Sequence, residues 1–85
     1  MKITILRRAE KQIKQLPDFV KVAVTKKIRA LGQEEENVQI KKLQGRKNIY
    51  RVRVGSYRIV YQQTNKVAEI LAVQHRKEVY KGKLE

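Results

Sequence analysis

Two runs of β-prone residues, Ile49 to Val54 and Tyr57 to Gln62, are separated by only two residues, Gly55 and Ser56. A loop that short joins antiparallel strands, and glycine at its first position suits a type II′ turn. It leaves one register: Val54 faces Tyr57, Arg53 faces Arg58, Val52 faces Ile59, Arg51 faces Val60 and Tyr50 faces Tyr61. Side chains alternate along a strand, so one side of the ribbon carries Tyr50, Val52, Val54, Tyr57, Ile59 and Tyr61 and the other carries Arg51, Arg53 and Arg58. The first side needs cover. The second sets like charges opposite one another, which costs stability unless an anion lies between them.

The cover comes from upstream. Met1 to Leu6 alternates, with Ile3 and Ile5 against Lys2 and Thr4, and reads as a short strand. Leu6, Ala9, Ile13 and Leu16 then fall at helical spacing, which predicts a helix to about Gln15, ended by Pro17. A second helix opens at Pro17 or Asp18, turns Val20, Val24, Ile28 and Leu31 inward, and stops with Gly32 at the C′ position. After a turn at Thr64-Asn65, a third strand over Lys66 to Val73 places Ile70 and Ala72 in the core and Glu69, Leu71 and Val73 on the other side. Strict alternation carried onward brings His75 out beside the arginines. The expected fold is a single α+β domain over residues 1–85: an N-terminal strand, a helical hairpin, then a mainly antiparallel basic β-sheet packed on the helices.

Charge says what such a sheet would meet. Lysine and arginine number 21 against 8 acidic residues, a formal net charge of +13, which is the balance of a polyanion binder. Lys41, Lys42, Arg46, Lys47, Arg51, Arg53 and Arg58 follow one another with no carboxylate between them. With no cysteine and a single histidine the chain offers no thiolate or zinc site, so no metal and no cofactor are expected. The apolar start is too short for a signal sequence or a membrane span, and the amphipathic stripes are needed for the sheet, so the expected address is the cytoplasm without membrane contact. Guanidinium groups are forked donors that stay charged, so three on a rigid ribbon make a phosphate cradle. His75, Arg76 and Tyr80 arrive near the same face and add an imidazole and a phenol. Tyr50, Tyr57 and Tyr61 belong to the core by parity. At this level the residues reach a phosphate-binding surface and leave the reaction open.

The series Lys42-Leu43-Gln44-Gly45, then Ile49-Tyr50-Arg51-Val52-Arg53-Val54-Gly55-Ser56-Tyr57-Arg58-Ile59-Val60-Tyr61, then His75-Arg76-Lys77-Glu78-Val79-Tyr80 resembles the RelE family of the RelE/ParE superfamily of type II toxin–antitoxin toxins. The resemblance covers the whole chain and implies a RelE-like fold. It implies a metal-independent mRNA endoribonuclease acting in the ribosomal A site, where the message's 2′-OH attacks the adjacent phosphate and translation stops. By matching position, Arg51 and Arg53 take the places of two basic residues usually found as lysines, Arg58 that of a phosphate-contacting arginine, Arg76 that of a residue assisting the 5′ oxygen, and Tyr80 that of a tyrosine stacking on substrate or accepting the 2′-OH proton. Arginine does not give up its proton at neutral pH, so the base is either His75, by its intrinsic pKa, or Tyr80, if neighbouring cations depress a phenol pKa of ~10. Lys41, Lys42, Arg46 and Lys47 are expected to bind RNA.

A RelB-like acidic antitoxin is the implied partner, alongside the ribosome and mRNA. Two other readings stand beside the ribonuclease: a ParE-like poison of DNA gyrase, and a non-catalytic basic module that binds RNA or the ribosome. The oligomeric state of the free chain is left open by the residues.

Overall fold

The structure is a computed structural model that describes residues 1–33, 48–75 and the main chain of 40–42. In chain order its elements are β1 (Lys2–Ile5), α1 (Arg7–Lys14), α2 (Asp18–Gly32), β2 (Ile40–Lys42), β3 (Ile49–Val54), β4 (Tyr57–Thr64) and β5 (Val67–His75). They form one five-stranded sheet in the order β1-β5-β4-β3-β2, antiparallel except where β1 runs parallel to β5. The β3–β4 register is the one the two-residue loop dictates, from Val54 opposite Tyr57 to Ile49 opposite Gln62. Gly55 takes a positive φ of 58° and Ser56 does not, as a type II′ loop requires.

Both helices lie on one face of this sheet. Val20, Val24, Ile28 and Leu31 of α2 and Ala9 of α1 pack with Val52, Val54, Ile59, Tyr61, Ala68, Ile70 and Val73, and all are buried. Each of the larger aliphatic side chains contributes about 1.5–3 kcal/mol by leaving water. Pro17 separates the helices as its fixed φ demands, serving as the residue that precedes α2. Gly32 is the last residue of α2 and not the C′ stop that its position suggested. A Cβ there would stand 3.2 Å from Ile3 Cγ1, so that side chain would have to give by a few tenths of an ångström, and the Met1 amino group donates to the Gly32 carbonyl at 2.8 Å.

The third strand departs from simple alternation. Tyr61 pairs with Ile70 and Val60 pairs with Ala72, so Leu71 has no opposite number and forms a β-bulge. Every side chain beyond it changes face. Val73 therefore joins the helix-covered core, while Ala72, assigned by alternation to that core, sits with Val60 on the other side, both buried and outside the main cluster. The strand starts one residue later and runs two further than the sequence indicated. A short edge strand, β2, was not foreseen at all.

Past the last residue of β1, the exposed edge of β5 is met by a helix. Ile5 pairs with Ile70, where β1 ends, and Val73 N then donates to Gln12 Oε1 of α1 at 2.8 Å. On the core side, Tyr61 is 1 % exposed and stacks on Tyr50 with ring centroids 5.6 Å apart. Burial, reinforced by the neighbouring Tyr50 phenol, pushes its pKa up to about 12.

Two outcomes follow from these contacts. A Gln12→Ala variant leaves the Val73 amide without its acceptor and should lose about 1 kcal/mol, seen as a melting point lower by about 4–8 °C. The folded Tyr61 pKa lies above the unfolded value of ~10, so its contribution is complete below about pH 10 and is lost as pH rises from there toward 12. Stability from urea midpoints should fall by up to about 1.4 kcal/mol per pH unit more steeply in the wild type than in Tyr61→Phe over that window.

Candidate nucleic-acid interface

The sheet face turned away from the helices carries the arginines. Arg53 and Arg58 stand directly opposite each other, a geometry that brings Cβ atoms to roughly 5 Å. Their row continues to Gln74 on β5, and the adjacent row runs Arg51, Val60, Ala72. Arg53 is exposed and Arg51 half-buried, whereas Arg58 is 7 % exposed, with Nη1 buried. Val60 and Ala72 form an apolar strip beside it. The Arg58 side chain is thus held within a packed surface, which limits its freedom in a way a solvated arginine such as Arg53 does not share. Glu69 belongs to the same face but lies at its far end, opposite Gln62. The loop end of the sheet is therefore its cationic end.

His75 is not part of this set. The Leu71 bulge puts it on the helix side, opposite Tyr57, where the two rings meet edge to face at 5.2 Å and 84°. The expectation that it emerges beside the arginines assumed unbroken alternation and is corrected here. His75 instead lines a groove of about 530 Å³ with Phe19, Val20, Ala23, Val54 and Tyr57. Phe19 at its rim is 78 % exposed.

The place beside Arg58 is taken by Gln74, which sequence reasoning did not single out. The signal was weak, because Ile70, Leu71, Ala72 and Val73 are all apolar and fix no parity. Gln74 is 3 % exposed, and its Oε1 has no hydrogen-bond partner among the described residues. A buried acceptor in that condition costs about 1–3 kcal/mol. Of the remaining candidates, Lys41 pairs with Arg51 and Lys42 with Tyr50 in the β2–β3 register. Arg46, Lys47, Arg76 and Tyr80 lie outside the described residues.

Chemically, the loop end of the described face offers guanidinium donors and the Gln74 carboxamide, with Gln62 and Glu69 at the far end. That donor set suits an anion with several oxygens, such as the phosphate of a polynucleotide, better than a metal ion. At that loop end the described side chains are guanidinium donors and an amide, which can stabilise charge and do not serve as a base.

Comparison with known proteins agrees with this architecture. A family model described as the ParE toxin of type II toxin–antitoxin system, parDE, matches residues 3–80. Toxin RelE3 of Methanocaldococcus jannaschii is 31% identical over 88 residues, covering 94% of this chain and 96% of that one. Among solved structures, the RelB-RelE antitoxin-toxin complex from Methanococcus jannaschii superposes with a TM-score of 0.82 at 25% identity, over 94% of this chain and 98% of that chain. The archaeal RelE-RelB complex from Pyrococcus horikoshii OT3 does so with 0.72 at 26%, over 88% and 93%. Sequence and fold together make the chain a member of the RelE family of type II toxin–antitoxin toxins.

Proposed function

We propose that this toxin is a ribosome-dependent endoribonuclease that cuts mRNA in the A site and so inhibits translation. The observation that supports it is the row in which Arg53 opposes Arg58 on the face turned away from α1 and α2, with Arg51 in the adjacent row. Such a concentration of positive charge is unfavourable in an empty sheet and favourable around a phosphate. In the reaction the 2′ oxygen forms a bond to the adjacent phosphorus while the bond to the 5′ oxygen breaks. The products are a 2′,3′-cyclic phosphate and a 5′-hydroxyl. The pentacoordinate intermediate carries one more negative charge than the substrate, so fixed cations stabilise it more than the ground state.

Arg51, Arg53 and Arg58 serve that electrostatic role. Arg76 completes it at the leaving 5′ oxygen. Tyr80 would take the 2′-OH proton as its phenolate, the form that neighbouring cations favour, and water would supply the proton that the leaving 5′ oxygen takes up; His75 lies on the other face of the sheet from Arg58. Lys41, Lys42, Arg46 and Lys47 extend the contact along the RNA backbone and make binding salt-dependent. The cell holds the activity in check with an acidic antitoxin, as the RelB-RelE complexes among the structural relatives suggest, and both proteins act in the cytoplasm.

One observation favours a second reading, a ParE-like action on DNA gyrase: the matching family model is described as a ParE toxin. A single experiment separates the two. RNA 5′ ends are mapped on a translated and an untranslated copy of one message after induction, and supercoiling by gyrase is assayed with the purified toxin. New ends on the translated copy alone support the ribonuclease. Gyrase inhibition with intact message overturns it, and RNA binding with a steep salt slope but no new ends would leave only a non-catalytic binder. Arg58→Ala should reduce cleavage by about 10²-fold or more while the far-ultraviolet spectrum is kept; full cleavage by that variant would remove Arg58 from the site.

A further inference from the structure

The β5 bulge brings to the arginine face one side chain that unbroken alternation would have buried in the core. Gln74 stands opposite Arg58, is 3 % exposed, and keeps Oε1 without a hydrogen-bond partner among the described residues. A buried, unmet acceptor weakens a fold, and such weaknesses gather where function requires them. The two register neighbours of Arg58 are Arg53 and Gln74, and neither is acidic. A carboxylate at position 74 would grip the guanidinium more firmly and would also cancel the charge a phosphate is meant to feel. A carboxamide oxygen accepts a hydrogen bond and leaves that charge in place.

We propose that Gln74 is a positioning residue for Arg58. When an anion engages the guanidinium, Gln74 Oε1 accepts one of its inner N–H groups and fixes the fork on the phosphate. The inference rests on the reading of Arg58 as the phosphate-contacting arginine of a ribonuclease. Gln74 does not touch the RNA; it narrows the orientations available to the group that does, so its loss falls on the rate within the complex and spares affinity.

Two variants test this. Gln74→Leu keeps the volume and removes the acceptor, and Gln74→Glu keeps an acceptor and adds a charge; Gln74→Met replaces the leucine variant if that one fails to fold. Gln74→Leu should melt at or above the wild-type temperature, bind RNA within about threefold, and cleave a translated message at least about tenfold more slowly. Slower cleavage in a protein that is no less stable does not arise from lost packing. Gln74→Glu should lose both cleavage and RNA affinity while staying folded. A readout independent of cleavage is the nitrogen–proton NMR signature of the Arg58 Nη groups with saturating inorganic pyrophosphate: separate lines in the wild type, an averaged line in Gln74→Leu. Cleavage by Gln74→Leu within about threefold of wild type, or identical Arg58 lines in both proteins with pyrophosphate present, overturns the proposal. A wild-type protein that cleaves nothing overturns the ribonuclease reading instead, and the Arg58 lines then decide the role of Gln74 alone.

Discussion

One unopposed residue, Leu71, determines which side chains share the cationic face. On its N-terminal side β5 presents Ala68 and Ile70 to the helices; on its C-terminal side it presents Val73 and His75. The face opposite receives Ala72 and Gln74 in exchange. Without the bulge, Val73 would leave the core, Gln74 would be forced into it, and an imidazole would stand beside Arg58. The extra residue reconciles an unbroken core of β-branched and aromatic side chains with an arginine row bordered by a neutral amide. A bulge beside a functional surface is a usual place for one, since it re-aims a side chain without changing the strand order.

The energetics of the arginine face depend on that arrangement. A charge held at 7 % exposure loses most of its hydration, and the loss is several kcal/mol before any partner is counted. The β4 strand that carries Arg58 is flanked on both sides by paired strands, so the main chain cannot swing it out to water. Two arginines in register on that rigid base leave a strong local field with a fixed origin. Rigid placement matters more than the number of charges when the task is to stabilise charge developing on one phosphorus. The +13 balance of the chain sets the long-range attraction; the placement of a few of those charges sets what is done with it.

How much of this could be read from the residues follows from which constraints are local. The hairpin register was fully legible, because two residues between strands leave no freedom to slip. The helices were legible from their 3.6-residue stripes and from Pro17. The face assignment of β5 was not, since four consecutive apolar residues give no parity and the bulge answers to the fit of Tyr61 against Ile70 and Val60 against Ala72. Gln74 was missed for the same reason, and His75 was misplaced by it. β2 was missed because three residues paired to a neighbouring strand carry too little pattern of their own. Arg51, Arg53 and Arg58 were found together because their grouping depends only on the hairpin.

The hydrogen bond from Val73 to Gln12 has a consequence for self-association. A sheet with free edges invites another copy to add a strand, and the usual defences are to keep edges short, to charge them or to cover them. Here the edge strands β1 and β2 have 4 and 3 residues and carry lysines, and a helix side chain occupies the donor of β5 just beyond the reach of β1. Among the described residues the sheet offers no long ladder along which copies could polymerise.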